Sequence, residues 1–358
     1  MVCNRFRNRL QNPKMPTQPM QTRRTTLADV ARAAGVSKAT ASRVLGGSAD
    51  RVSDELRERV LRAAADLDYV PNPHAQALAR AVSPLVALIV HDVADPYFSE
   101  IARGVFHAAA ESDRLVMICN TFRDPDRELA YLRTLRAQRV QAVLVAGTAR
   151  SGFELGSEVA AELDLYRAEG GQVAVMVAGH GYPAAVPDDR GGGRQVGEHL
   201  LALGHRQTAV IAGPSGVGSV DERLAGFLDA LVGSGAPEPV VVHSDFTRRG
   251  GADAVDEILA ARPGTTAIFA HNDLMAVGAI RRLAAAGRRV PDDVSVAGFD
   301  DMPLAEDLQP PLTTVRVPLA ELGAEALRMA LDGAPGDETR LFETTLVARG
   351  STAPVDGR

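Results

Sequence analysis

The chain has 358 residues, 46% of them hydrophobic, with a formal net charge of −6. That is enough apolar material for more than one core, and no apolar run reaches the roughly 18 residues of a membrane span. Only Cys3 and Cys119 are present, which excludes a disulfide framework or a cysteine zinc site and fits a reducing cytoplasm.

The first 24 residues carry Arg5, Arg7, Arg9, Lys14, Arg23 and Arg24 but lack the apolar centre of a secretory signal. The expectation is a disordered basic tail or an over-extended start, with Met15 and Met20 as alternative starts. From Thr26 to Leu45 the sequence predicts two short helices around a tight turn. Leu27, Val30, Ala31 and Ala34 recur at helical spacing. Gly35 suits the left-handed backbone that stops a helix, and Ser37 offers a hydroxyl to cap the next one. Val36, Ala41, Val44 and Leu45 can pack back onto the first helix. That leaves Lys38, Ala39, Thr40, Ser42 and Arg43 for the outer side, where small and cationic residues suit a DNA groove. An ordinary helical hairpin is the plain alternative. A third helix is expected from about Ser53, with Leu56, Val60, Leu61, Ala64 and Leu67 on one face.

Charge follows the same division. Residues 1–80 hold a net +7 and residues 81–358 a net −13. A basic head on an acidic body suits a protein that meets a polyanion with one end only.

The pattern Thr26-Leu27-x-Asp29-Val30-Ala31-x-x-Ala34-Gly35-Val36-Ser37-x-x-Thr40-x-Ser42-Arg43-Val44-Leu45, then Tyr69-x-Pro71-Asn72 and Ala75-x-x-Leu78-Ala79, resembles the LacI/GalR family of bacterial transcription regulators. The resemblance implies an all-α helix-turn-helix head over residues 25–71 and a hinge helix over 72–83. Lys38, Ala39 and Arg43 would face base edges in the major groove. Ser37, Thr40 and Ser42 would hold phosphates. Asn72 belongs to the same DNA-facing set, and Leu78 would be the wedge between base steps in the minor groove. A plain linker is the other reading of 73–80. One head touches little DNA, so a homodimer on a pseudo-palindromic duplex is expected.

Beyond Pro84, short apolar runs alternate with amphipathic stretches: strands at 85–90, 115–119, 143–146, 173–177, 209–212, 240–242, 267–270 and 294–299, with helices between. This rhythm implies parallel sheets with helices on both faces, and so many strands imply two α/β lobes. The part resembles the periplasmic-binding-protein-like core of the same family, on Asp95-Pro96-Tyr97-Phe98, Arg223-Leu224-Ala225-Gly226-Phe227, Asn272-Asp273-x-Met275-Ala276-x-Gly278 and Val290-Pro291-x-Asp293-Val294-Ser295-x-x-Gly298-Phe299-Asp300. It implies an effector-binding and dimerisation domain over 84–350, followed by a tail at 351–358. The first lobe would be 84–183 with 318–333, and the second 184–317 with 334–350.

Strand ends facing across two lobes form a cleft for a small molecule. The candidate effector residues are Tyr97, Phe98, Asp188, Arg223, Phe246, Asn272, Asp273 and Asp300. Tyr97, Phe98 and Phe246 offer aromatic faces, with a plain core role as the alternative. The carboxylates, amide and guanidinium form paired hydrogen bonds with neighbouring hydroxyls, which suggests a sugar or sugar derivative; nucleobases and nucleosides remain alternatives. Asp273 has helix capping as its second reading. Asp188-Asp189 departs from the Asp-Asn pair commoner in relatives: the extra carboxylate either changes which ligand fits or faces solvent.

The expected function is therefore a cytoplasmic, DNA-binding transcriptional regulator, a repressor, whose operator affinity is controlled by the effector. No cofactor, metal or membrane partner is expected. An enzyme is disfavoured: Gly213-Pro214-Ser215-Gly216-Val217-Gly218-Ser219 lacks the ending of a phosphate loop, and Gly191-Gly192-Gly193 is no dinucleotide fingerprint. A secreted solute-binding protein would lack the helical head.

Overall fold

The computed structural model describes residues 25–46, 52–70, 84–147, 156–177 and 181–355. It falls into two compact units, residues 1–79 and 80–358. The expectations for the tail 1–24, the hinge 72–83 with Asn72 and Leu78, and residues 356–358 lie outside the described residues.

The first unit is three helices: α1 (Leu27–Ala34), α2 (Lys38–Leu45) and α3 (Asp54–Asp66). A reciprocal cap starts α1, in which the Thr26 hydroxyl accepts from Asp29 N and the Asp29 carboxylate accepts from Thr26 N, satisfying donors that the helix itself leaves open. Gly35 ends it at φ 63°, where any other side chain is strained. Val30, Ala31, Ala34, Ala41, Val44, Val60, Ala63 and Ala64 form the core, with Leu27, Val36 and Leu45 at its margin. Arg59 Nη2 on α3 donates to Ala34 O and ties the helices at the turn. One expected core residue is out of place: Leu61 is 46% exposed. It lies about 100° around α3 from Val60, and the buried stripe runs Val60–Ala63–Ala64 instead.

The second unit carries two parallel sheets. The first has the order β11-β5-β4-β3-β1-β2, from β1 (Leu85–Val90), β2 (Leu115–Asn120), β3 (Ala142–Ala146), β4 (Gln172–Val175), β5 (Ala184–Pro187) and β11 (Thr339–Phe342). Helices α4 (Pro96–Glu111), α5 (Pro125–Ala137), α6 (Ser157–Ala168) and α12 (Leu319–Leu331) cover it. In β1, Val86, Leu88 and Val90 enter one core, while Ala87 and Ile89 enter another. Both faces are thus buried, as parallel strands need. The second sheet, β7-β6-β8-β9, comprises β6 (Thr208–Ala212), β7 (Val240–His243), β8 (Ala267–Ala270) and β9 (Ser295–Ala297). Its helices are α7 (Asp189–Ala202), α8 (Gly218–Leu231), α9 (Arg248–Ala261), α10 (Asp273–Ala285) and the short α11 (Leu304–Asp307).

Two lobe boundaries differ from expectation. β5 pairs with β4 and with β11 in the first sheet, so the chain leaves the first lobe after Pro187 rather than near Pro183. Residues 339–342 also belong to that sheet, so the return crossing follows Phe342 rather than Ala334. The remaining link is an antiparallel ribbon of β10 (Thr314–Arg316) and β12 (Thr345–Val347). Residues 351–355 are no loose tail either. Ser351 is fully buried; its hydroxyl donates to Val296 O and accepts from Thr313 N. Val355 N donates to Leu203 O.

Candidate effector cleft and DNA-facing helix

The second unit contains a cavity of about 410 Å³ where strand ends of the two lobes meet. Its floor is built by two helices that cross with almost no spacing. A side chain at Gly193 of α7 would meet the Arg223 backbone, and one at Gly226 of α8 would meet the Arg190 backbone. The two glycines let α8 approach closely enough to deliver Arg223 to the start of α7. The glycine run 191–193, no nucleotide fingerprint, has this packing role.

Arg223 is the centre of the floor, its side chain only 5% exposed. Nε donates to Asp189 Oδ1 at 2.7 Å, Nη2 lies 3.2 Å from Asp300 Oδ1, and Nη1 donates to His271 O. The guanidinium also rests 3.8 Å from the Phe299 ring centroid, a cation–π contact. Burial opposes its charge, but the two carboxylates outweigh burial and hold it protonated. The same burial pushes the Asp189 and Asp300 carboxyls above their ordinary range, against the pull of Arg223. Asp300 sits at φ 101°, a left-handed backbone that non-glycine residues adopt at a cost of about 1–3 kcal/mol. That backbone aims its carboxylate at Arg223.

Tyr97 and Phe98 stand at the start of α4, edge to face at 5.1 Å, and both line the cavity. Burial raises the Tyr97 phenol, so it stays protonated. Phe246 lines the opposite wall, with the Arg123 guanidinium 4.9 Å from its ring centroid. Asp188 and Asn272 also line the cavity, but each spends one side-chain oxygen on a helix start: Asp188 accepts from Gly191 N, Asn272 from Met275 N.

Asp273 is the exception among the candidates. It does not line the cavity. Its carboxylate accepts from Met302 N at 2.7 Å and from the Thr314 hydroxyl at 2.6 Å, which turns it into the body of the second lobe. Neither does Asp189 face solvent: it is the closest carboxylate to Arg223. Arg123, His91 and Asp95 line the cavity without having been singled out, and so does Asp189, which the sequence offered only as an extra carboxylate of open role. Asp189 was legible as half of an acidic pair at a strand end; Arg123 had no signal beyond following β2.

In the first unit, Lys38, Ala39 and Arg43 are exposed on α2 while Ala41 and Val44 are buried. The Ser37 hydroxyl accepts from Thr40 N at 3.0 Å and shares a hydrogen with the Thr40 hydroxyl. Ser37 therefore caps α2 as well as facing outward, and Ser42 is half-buried.

A helix-turn-helix head and a two-lobed α/β body with a polar cleft together define a ligand-responsive DNA-binding protein. The comparisons agree. Residues 26–72 match the model of bacterial regulatory proteins of the lacI family, and residues 198–352 that of a periplasmic binding protein-like domain. The HTH-type transcriptional regulator DegA of Bacillus subtilis (strain 168) is 34% identical over 346 residues, 93% of this chain and 99% of its own. Among solved structures, a transcriptional regulator CelR–cellobiose complex superposes with a TM-score of 0.68 at 34% identity, over 92% of this chain and all of that one. The lac repressor dimer bound to operator and the anti-inducer ONPF gives 0.80 at 28% identity, again over 92% and 100%. The chain belongs to the LacI family of bacterial transcriptional regulators.

Proposed function

We propose that the chain is a cytoplasmic repressor which binds a pseudo-palindromic operator as a homodimer and is controlled by a sugar-like effector in the cleft around Arg223. The observation that carries this reading is the division of labour within α2: its inner side chains complete a core, and its outer ones, Lys38, Ala39 and Arg43, are exposed on a short capped helix. An α-helix of this kind fits the major groove, and arginine pairs with guanine through two hydrogen bonds. The acidic body would be repelled by phosphates and keeps the head as the docking end.

The homodimer reading draws on the lac repressor, a dimer on its operator, and on edge strand β2, which exposes Leu115 and Met117; an unpaired edge with apolar side chains invites a second copy. The cleft reading draws on Arg223, Asp300, Asn272 and the aromatic walls, groups that hold polyols. No helix among the described residues is long and apolar enough to cross a membrane. A binding role fits the floor better than catalysis, because Arg223 commits all three nitrogens to fixed partners.

The test is selection of bound duplexes from a random pool by the purified chain. An inverted repeat is the expected result. Arg43→Ala then relaxes base preference at one position in each half-site, costing about 1–3 kcal/mol of discrimination. Enrichment of a single asymmetric half-site, or an unchanged logo in the variant, contradicts the reading.

A further inference from the structure

The floor of the cleft holds one more acidic group than basic. Arg223 is one guanidinium against two carboxylates, and all three side chains are nearly sealed: 5% exposed for Arg223, 11% for Asp189 and 4% for Asp300. Buried charges are stable when matched in number and hydrogen-bonded. Here Asp189 takes the good bond to Nε, while Asp300 Oδ1 accepts no hydrogen bond although it lies 3.2 Å from Nη2. Asp189 and Asp300 both line the cavity that a ligand would fill.

The other cations of the wall do not cancel this excess. Arg190 is paired outward with Asp229 and Glu222. Arg123 lies on the Phe246 ring and offsets Asp95 rather than Asp189 or Asp300. Asp95, the third carboxylate of the lining, has Arg123 as its counter-charge and one oxygen accepting from Tyr97 N, so the excess lies with Asp189 and Asp300.

We infer that the effector is a cationic polyol, a sugar-like molecule whose protonated amine sits against Asp300 and Asp189 while its hydroxyls take up the remaining polar groups. This rests on the proposed effector function of the cleft and narrows its ligand class. A hydroxyl donates one hydrogen bond and leaves the charge in place; an ammonium donates three and cancels it. Proton uptake by a carboxyl is the competing way to cancel the charge, and burial already pushes both carboxyls upward. The aromatic faces of Tyr97 and Phe246 also favour a cation over a second anion.

The test is isothermal titration of the full chain, in near-neutral buffer, with matched pairs: glucosamine against glucose, galactosamine against galactose and mannosamine against mannose, with the N-acetyl form of each amine. The amine of at least one pair binds about tenfold or more tightly than its hydroxyl twin, the scale of one hydrogen bond to a charged group. N-acetylation, which keeps the nitrogen and removes the charge, abolishes the gain. Asp189→Asn, close in shape, brings the twins to similar affinity. Should that variant fail to melt cooperatively, the wild-type and N-acetyl arms decide alone. Neutral twins binding as well as the amines overturn the amine and leave the carbohydrate reading standing. Binding by no member of any pair overturns both.

Discussion

Arg223 shows how one side chain fixes a site: its Nε, Nη1 and Nη2 face Asp189, His271 O and Asp300 in turn, so its position leaves little freedom to the cavity floor. Asp273 shows the opposite outcome for another charged residue, one strand end away. Burial raises its carboxyl to about 7, against bonds from Thr314 and Met302 that lower it. A carboxyl raised on folding holds its proton more tightly in the native state. Its contribution to stability is therefore greatest near pH 4 and declines as pH rises through about 7. Asp273→Asn removes that decline. Melts from pH 4.5 to 8 should show the wild type losing ground to the variant as pH climbs, by an upper bound of about 4 kcal/mol. A constant gap between the two proteins contradicts the assignment. Sequence reading reached Tyr97, Phe98, Asp188, Arg223, Phe246, Asn272 and Asp300, all of which line the cavity; the others follow a strand or open a helix, while Arg223, inside α8, was reached through the family resemblance. It erred at Asp273 because successive residues at a helix start point in different directions. Only the loop carrying Met302 and the ribbon residue Thr314, 29 and 41 positions away, decide where Asp273 points.

Among elements, the crossing of α7 and α8 does most to shape the cleft. Gly226→Ala puts a methyl group 1.9 Å from Arg190 O on a rigid helix backbone, so the helices must separate and Arg223 must leave Asp189. The expected loss is about 1–3 kcal/mol of stability, together with effector affinity, read by thermal melts and ligand titration of the same sample. A variant as stable and as tight-binding as wild type contradicts the role given to this glycine. The helices α1 to α10 were legible in the sequence to within a few residues, since each has an apolar stripe; α11 and α12 were not singled out. The strands missed were β5, β10, β11 and β12, each three or four residues long. Ala184-Ala185-Val186-Pro187 has little strand character of its own, and only pairing with β11, some 155 positions later, makes it one. That is also why the lobe boundaries drawn from sequence fell four to nine residues early: the chain crosses after these short strands.

For the whole molecule, function depends on two units joined by one chain. The basic head and the acidic body divide the charge, so the polyanion meets one and the small molecule the other. A ligand alters operator affinity only by favouring one arrangement of the lobes over another, and couplings of this kind amount to about 1–3 kcal/mol, or 5–150-fold. The most direct measurement is fluorescence anisotropy of a selected operator duplex titrated with the full chain, with and without a ligand shown to fill the cleft, for wild type and Arg223→Lys. Lysine keeps the charge but cannot span Asp189, Asp300 and His271 O together. The account predicts that the ligand shifts wild-type operator affinity by 5–150-fold, that Arg223→Lys loses this shift, and that binding to unrelated duplex stays the same throughout. A ligand that occupies the cleft and leaves operator affinity unchanged would contradict it.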